Sequence, residues 1–329
     1  MIDAPLIEFR SVTKQFAVGG SLFGKKRYIK AVDNVSFRIG EGETVALVGE
    51  SGCGKTTLGR LALARLKPTS GLILYKGKDL RYLNKAEYRE YRRNAQVIHQ
   101  DPYDALNPMR TVYQSLSPAL LRYRIVRNKE EARKKVSDLL KLVGLIPPED
   151  FMPRYPARLS GGQMQRVAIA RAISVRPKFI VADEAVSMLD ASLRISVLDI
   201  LLNLKRRLSM ACLFITHDLA IARYFAQDGR MMVMYLGKIV ETGSTEEIIR
   251  EPLHPYTKAL ISAVPVPDPK IARERRLPHL RSLEIPRLTE LPSGCRFHTR
   301  CPMAKEICTK YAPELREVKK GHFVACHLY

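Results

Sequence analysis

Tryptophan is absent, aromatic residues make up only 7% of the chain, and no uninterrupted apolar run reaches the roughly 18 residues a membrane helix needs. The chain is therefore expected to have no membrane span of its own. Its opening stretch carries Asp3 and Glu8 and offers no basic segment followed by an apolar core, so no secretory signal is expected and the chain is placed in the cytoplasm. Acidic residues are also scarce, 33 Asp plus Glu against 55 Lys plus Arg, which leaves a formal net charge of +22. Such a balance fits nucleic acid, an anionic membrane surface, polyanionic ligands such as nucleotide phosphates, or simply a solvated basic surface, so charge alone does not choose. Cysteine is thin over most of the chain, yet four of the six fall within the last 35 residues. In a reducing compartment that crowding argues for metal or cluster ligation over disulfides. The 329 residues, 46% of them hydrophobic, suffice for one large domain or two ordinary ones and exclude disorder as the main theme.

Short β-forming runs at 7–13, 32–38, 44–48, 72–75, 95–98, 179–182, 212–216, 231–235 and 239–242 read as strands, and the last two flank Leu236-Gly237 as a hairpin would. A basic insertion containing Gly19, Gly20 and Gly24 separates the first two. Between 108 and 156 the strand signals give way to charged helical patterns, notably 129–143, closed by Gly144 and Pro147-Pro148. This predicts a helical insertion in an α/β core. From Val264, Pro265, Pro267, Pro269, Pro278, Pro286 and Pro292 punctuate a basic stretch, which suits a linker or strap followed by a small module in need of a staple.

Gly49-Glu50-Ser51-Gly52-Cys53-Gly54-Lys55-Thr56 fits G-x-x-x-x-G-K-[ST] between an apolar strand and a helical pattern. Glycines let backbone N–H groups fold round a phosphate, a helix N-terminus adds its dipole, a lysine neutralises β and γ oxygens, and a hydroxyl ligates Mg²⁺. Gly49, Ser51, Gly52, Gly54, Lys55, Thr56 and Thr57 are the candidate contacts, whereas Cys53 occupies an unconstrained position. The run Phe179-Ile180-Val181-Ala182-Asp183-Glu184 delivers two carboxylates at a strand end; alone such acids are usually solvated, but after a phosphate loop Asp183 suits Mg²⁺ and Glu184 the attacking water. Leu159-Ser160-Gly161-Gly162-Gln163 precedes a helical pattern at 164–174, so Ser160 and two flexible glycines offer either a second anion site or a plain N-cap. Gln100 closes the strand at 95–98, Asp190 lies six residues beyond Glu184, and His217 follows the strand at 212–216.

Together these motifs resemble, over residues 7 to about 262, the ATP-binding cassette subunits of ABC transporters. The resemblance assigns Lys55 and Thr56 to Walker A, Gln100 to the Q-loop, Leu159 to Gln163 to the signature, Asp183 and Glu184 to Walker B and the catalytic base, Asp190 to the D-loop, and His217 to the switch histidine. It makes Thr56, Gln100 and Asp183 the Mg²⁺ contacts, and Glu184, His217 and Gln100 the residues of the hydrolytic step. It also implies that ATP is sandwiched between two cassettes, the signature of one closing on the Walker A of the other, so one chain cannot complete a site. An aromatic after the first strand would stack on adenine; Phe16 matches by position and Tyr28 is the alternative. Two positions depart from the family pattern: Ala185 stands where Pro is usual, and Met188 where a small residue is usual. The chemical residues are intact, so hydrolytic competence is expected, with contact between cassettes the property these departures bear on.

The segment His254-Pro255-Tyr256-Thr257-Lys258-Ala259-Leu260, and Asp101 to Pro108 after Gln100, resemble the dipeptide and oligopeptide branch of ABC importers. Cys295, Cys301, Cys308 and Cys326 lack the C-x-x-C pairing of common zinc modules. Arg296, Arg300, Lys305 and Lys310 stand near them to offset the charge of a Cys₄ cluster. The resemblance suggests a [4Fe-4S] cluster; zinc, or unligated or disulfide-linked cysteines, remain alternatives. The expected fold is thus an α/β P-loop ABC ATPase cassette over 1–263, with a helical subdomain at about 108–156, and a small Cys-rich extension over 264–329. The expected function is ATP hydrolysis that powers uptake of dipeptides or oligopeptides, or of oligosaccharides or nickel, with ATP and Mg²⁺ as cofactors. The resemblance implies as partners a second cassette subunit in a heterodimer, two membrane-spanning permease subunits and an extracytoplasmic solute-binding protein, with the chain peripheral on the cytoplasmic face of the membrane. The rival class, a soluble ABC ATPase acting on nucleic acid or ribosomes, would suit the charge but not the importer-like tail, so no nucleic acid is expected.

Overall fold

In the computed structural model, which describes residues 4–18, 27–264 and 280–329, the chain divides into two compact units. The first comprises Met1–Ile7, Ile39–Glu43 and Tyr75–Ile215; the second comprises Glu8–Arg38, Thr44–Leu74 and Thr216–Tyr329. Gly19, Gly20, Gly24, Pro265, Pro267, Pro269 and Pro278 lie outside the described residues.

In the first unit, α2 (Lys85–Asn94) leads into the parallel run β6 (Ala95–Ile98), β7 (Phe179–Asp183) and β8 (Ala211–Thr216). Ala95 stands opposite Phe179, and Phe179 opposite Ala211. Burial on both faces explains why β7 and β8 read as unbroken apolar runs instead of alternating. The helical insertion is present as α4 (Val112–Arg122), α5 (Lys129–Leu142) and the short α6 (Pro148–Phe151). Val112, Leu116 and Leu120 bury one stripe of α4, and Ala132, Val136, Leu139 and Leu140 bury one of α5. Thr111 and Gln114 form a capping box at the start of α4. Helix α7 (Gly161–Ile173) packs against β6, α4, α5 and α8 (Ala191–Leu208), which accounts for its burial nearly all round.

In the second unit, β1 (Ile7–Val18) lies between β2 (Arg27–Ile39) and β4 (Ser70–Tyr75). A further run has the order β11 (Arg316–Lys319), β12 (His322–Val324), β10 (Lys238–Ser244), β9 (Arg230–Tyr235), β3 (Thr44–Val48). β3 and β9 are parallel, and the other pairings are antiparallel. The hairpin expected at Leu236-Gly237 is a two-residue turn in which both residues have positive φ, 41° and 86°, matching the twist of its strands. Helices α1 (Lys55–Ala62), α9 (Leu219–Phe225), α10 (Thr245–Arg250), α11 (Pro255–Ser262) and α12 (Glu306–Lys310) complete the unit.

The C-terminal extension differs from the self-contained module that its proline punctuation suggests. Strand β12 adds to β10, with Glu241 opposite Val324. Phe297 and Cys301 belong to one apolar core with Ala46, Val48, Leu219, Tyr235 and Tyr256. The fully buried Glu241 carboxylate accepts the N–H groups of Leu253 (2.7 Å) and His254 (3.0 Å) and bonds His322 Nε2 (2.8 Å). Residues 297–324 therefore share the core and sheet of the second unit, so their small number alone demands no separate staple.

Candidate active site

β3, buried along its whole length, delivers Gly49 into a loop whose glycines are sterically required. Gly49 has φ 154° and a Cβ there would run into the Met234 carbonyl; Gly54 has φ 110° and its Cβ would run into the Ala31 carbonyl. The loop is pinned by the Gly237 N–H to the Cys53 carbonyl (2.8 Å) and by the Glu50 N–H to the Tyr256 hydroxyl (2.8 Å). The buried Lys55 ammonium donates to the carbonyls of Gly49 (2.7 Å) and Glu50 (2.9 Å) from inside the loop's curve. Ser51, Gly52 and Thr56 face outward and Thr57 is half-buried. No side chain caps α1 and its first turn holds no acid, so its N-terminal dipole is directed at whatever the loop holds. Cys53 is buried, which pushes its thiol pKa up and fits a packing role.

His217 stands exposed after β8, and the next residue, Asp218, caps α9 by accepting from the N–H groups of Ala220 (2.9 Å) and Ile221 (3.2 Å). Phe16 and Tyr28 are 37% and 58% exposed, so neither is a core residue and both remain available for stacking. The Lys14 ammonium lies 5.3 Å from the Phe16 ring centroid.

The first unit carries Gln100, Ser160, Gly161, Gly162, Gln163, Asp183, Glu184 and Asp190. Asp183 ends β7, and Glu184 turns the chain with φ 47°, its N–H donating to the Ile215 carbonyl (2.9 Å) and its carbonyl accepting from the Ser187 Oγ (3.0 Å). Ala185 is buried, and its carbonyl accepts from Gln165 Nε2 (2.6 Å), which also reaches the His99 carbonyl (3.3 Å). Gln165, which sequence reasoning passed over, thereby ties the residue before Gln100 to the residue after Glu184. Gln100, Gly161, Gln165, Ala185, Met188 and Leu189 share a cleft of about 200 Å³. Met188 is 63% exposed and Asp190 sits exposed at the N-cap of α8.

The signature segment differs from its expected form. Ser160 is the N-cap, as weighed above, accepting from the Gln163 N–H (3.3 Å) while Gln163 Oε1 accepts from the Ser160 N–H (3.1 Å), and Gly161 and Gly162 form the first turn of α7, three residues before the expected helix start. The glycines instead keep the helix start bare: a Cβ on Gly162 would press on Leu193 at 3.3 Å.

Cys295, Cys301, Cys308 and Cys326 carry no disulfide; Cys301, Cys308 and Cys326 are buried and Cys295 is half-buried. Burial comes first in raising the pKa of Cys295, Cys301 and Cys326, with Cys295 pushed to about 11. Among the described residues, no three His, Cys, Asp or Glu side chains are gathered as a metal ion requires, so neither the iron-sulfur nor the zinc expectation finds support in this geometry. Of the basic residues beside these cysteines, Arg296 pairs with Asp33, Arg300 with Glu50 and Lys310 with Glu306.

Residues 32–187 match the ABC transporter family, and residues 240–308 match the oligopeptide/dipeptide transporter C-terminal region. The oligopeptide transport ATP-binding protein AppF of Bacillus subtilis is 43% identical over 326 residues, covering 98% of this chain and 97% of that protein. A peptide ABC transporter ATP-binding protein of Sinorhizobium fredii, y4tS, is 42% identical over 329 residues, covering 100% of this chain and 91% of that protein. Among solved structures, the dimeric ATP-binding cassette MJ0796 in a post-hydrolysis state with ADP and Pi has TM-score 0.63 and 30% identity, covering 73% of this chain and 98% of that one. The chain therefore belongs to the ATP-binding subunits of ABC transporters, in the oligopeptide/dipeptide branch, and is an ATPase with the P-loop cassette fold.

Proposed function

We propose that this chain powers the import of dipeptides or oligopeptides through partner membrane subunits, as the energy-coupling cassette over 1–263 with an importer-type extension over 264–329. The observation that carries this reading is the identity, over nearly the whole chain and the tail included, to proteins of oligopeptide transport. The soluble nucleic-acid alternative finds no such support. The chain's own contribution follows from the residues above. Backbone amides of residues 49–57 and the Lys55 ammonium bind the phosphates, and the Thr56 hydroxyl and Asp183 carboxylate would hold Mg²⁺, which when bound neutralises phosphate charge. Glu184 orients and deprotonates the attacking water, His217 contacts the γ-phosphate, Gln100 reports nucleotide state to the permease, and Phe16 or Tyr28 stacks on adenine. Ser160 and the α7 N-terminus, with Gln163 and Asp190, would serve the nucleotide of an opposing cassette. ATP bound more tightly in the closed pair than in the open one drives the conformational cycle.

The partners in this reading are a second, non-identical cassette subunit, two permease subunits and a solute-binding protein, with the chain peripheral on the cytoplasmic face of the membrane. No helix among the described residues is long and apolar enough to cross a membrane itself. The four tail cysteines would ligate a [4Fe-4S] cluster, which when bound cross-links the tail at four points. Coexpression with the permease subunits and reconstitution in proteoliposomes tests the proposal. Peptide presented by the solute-binding protein should accumulate only with ATP, and ATP turnover that ignores peptide-loaded binding protein would contradict it. Anaerobically purified chain should carry about four irons and four sulfides, lost in a Cys301→Ser/Cys308→Ser variant. Zinc or no metal would remove the cluster and leave the ATPase assignment standing.

A further inference from the structure

The phosphate loop contains an acid where its ligand is a polyanion. Glu50 follows Gly49 directly, so its carboxylate is attached to the backbone that is to cradle phosphates. That carboxylate is taken by an arginine 250 residues away, on the cysteine-bearing tail. Arg300 Nη1 lies 2.8 Å from Glu50 Oε2 and Nη2 2.9 Å from Oε1, a two-pronged pair. Arg300 is 5% exposed, and its guanidinium carbon lies 5.8 Å from the Tyr235 ring centroid and 5.6 Å from that of Phe297. On the other side of the same residue, the Glu50 N–H is held by the Tyr256 hydroxyl at 2.8 Å. The tail fixes Arg300 in turn: its N–H donates to the Phe297 carbonyl (3.0 Å) and its carbonyl accepts from the Arg281 N–H (3.1 Å).

We infer that Arg300 is a positioning residue for ATP binding: by pairing with Glu50 it cancels an acidic charge on the phosphate loop and fixes the loop's first turn. The tail is thereby a working part of the nucleotide site, contributing through Glu50 without touching nucleotide. The physical reason is electrostatic. A bidentate guanidinium packed beside two rings removes the repulsion that a free carboxylate at this place would exert on the phosphates, and a lysine would do so less well because it lacks the fork. The inference rests on residues 49–57 being the phosphate loop.

The test is equilibrium titration of full-length chain with MgATP, together with steady-state ATPase of the assembled transporter. Arg300→Met should weaken ATP binding about tenfold and raise KM while leaving kcat nearly unchanged, because the loss falls equally on ground and transition states. Adding Glu50→Gln should restore affinity, so that Arg300→Met costs less than about twofold once residue 50 is uncharged. A purely structural role for Arg300 would give no such rescue. If Arg300→Met fails to fold, Arg300→Lys retains the charge without the fork, and its smaller loss should likewise vanish with Glu50→Gln. Wild-type affinity in the Arg300 variants, or a double variant as weak as the single one, would overturn the inference. Lys55→Ala separates the two claims: undiminished ATP binding there would remove the phosphate-loop reading itself, whereas loss in Lys55→Ala without rescue by Glu50→Gln would remove only the role of Arg300.

Discussion

Glu241 is where the hydrogen bonds that anchor the C-terminal extension converge, and its removal has a calculable cost. The carboxylate accepts two backbone N–H groups, of Leu253 and His254, and bonds the imidazole of His322, itself only 1% exposed. Glu241→Ala leaves all three partners without an acceptor in a dry environment. Each buried orphan costs about 1–3 kcal/mol, and partial relaxation brings the total to about 3–5 kcal/mol, the range seen when one member of a buried polar pair is removed. Melting of 329 residues carries an entropy of about 0.7 kcal/mol/K at about 2.1 cal/mol/K per residue, so a loss of 4 kcal/mol lowers Tm by about 6 °C. Scanning calorimetry at fixed protein concentration measures the shift. Replacing both members, Glu241→Leu with His322→Leu, should recover part of the loss because one orphan disappears and apolar contact replaces it. A Tm within about 1 °C of wild type for Glu241→Ala, or a double variant less stable than the single one, would refute the reasoning.

Three further outcomes follow from single residues. His254 is buried, caps α11 through a ring nitrogen that accepts the Tyr256 N–H at 3.0 Å, and has its pKa lowered by burial to about 3. The unfolded chain takes up this proton near pH 6.5 and the folded chain does not, so stability present above that pH is lost as the pH falls towards 3, at about 1.4 kcal/mol per unit. His254→Asn, which keeps an acceptor for the cap, should remove that slope from denaturant titrations at pH 5–6.5, and an unchanged slope would contradict the assignment. Gly52→Ala should cost about 1 kcal/mol from its positive φ alone, since nothing lies within 4 Å of the added Cβ, whereas Gly54→Ala should abolish ATP binding because its Cβ collides with the Ala31 carbonyl. Equal nucleotide affinity in the two variants would count against the described loop geometry. Ser160→Asp should preserve the α7 cap and Tm while lowering transporter ATPase at least about tenfold through repulsion of phosphate, whereas Ser160→Ala should cost about 1 kcal/mol of stability. Wild-type ATPase in Ser160→Asp would confine Ser160 to capping.

Local pattern made much of the fold readable. The β9–β10 hairpin followed from Leu236-Gly237, and the insertion helix expected at 129–143 is observed as Lys129–Leu142. Strand ends proved less legible: β1 runs on to Val18 and β4 starts at Ser70, because these margins are exposed or half-buried and burial imposes no alternation on them. The N-cap weighed for Ser160 is observed, but α7 starts at Gly161 and not at Met164, because glycine has poor helix propensity whereas the capping box and burial of α7 override it. The motifs carrying nucleotide chemistry were visible because each is contiguous. What escaped was the way the tail is joined, through Arg296 with Asp33, Arg300 with Glu50 and His322 with Glu241, pairs separated by 263, 250 and 81 residues. Pairs so distant leave no periodic trace, and a basic residue beside a cysteine invites a local explanation that the structure replaces with a long-range one.

In the proposed mechanism this chain hydrolyses ATP with Glu184 acting on the water while residues 49–57 hold the phosphates. Single-turnover hydrolysis by the assembled transporter, with ATP binding measured on the same sample, tests it most directly. Glu184→Gln should bind ATP within about threefold of wild type and lose about 10²–10⁴-fold in the hydrolytic rate. Hydrolysis within tenfold of wild type by that variant, or loss of ATP binding along with turnover, would contradict it.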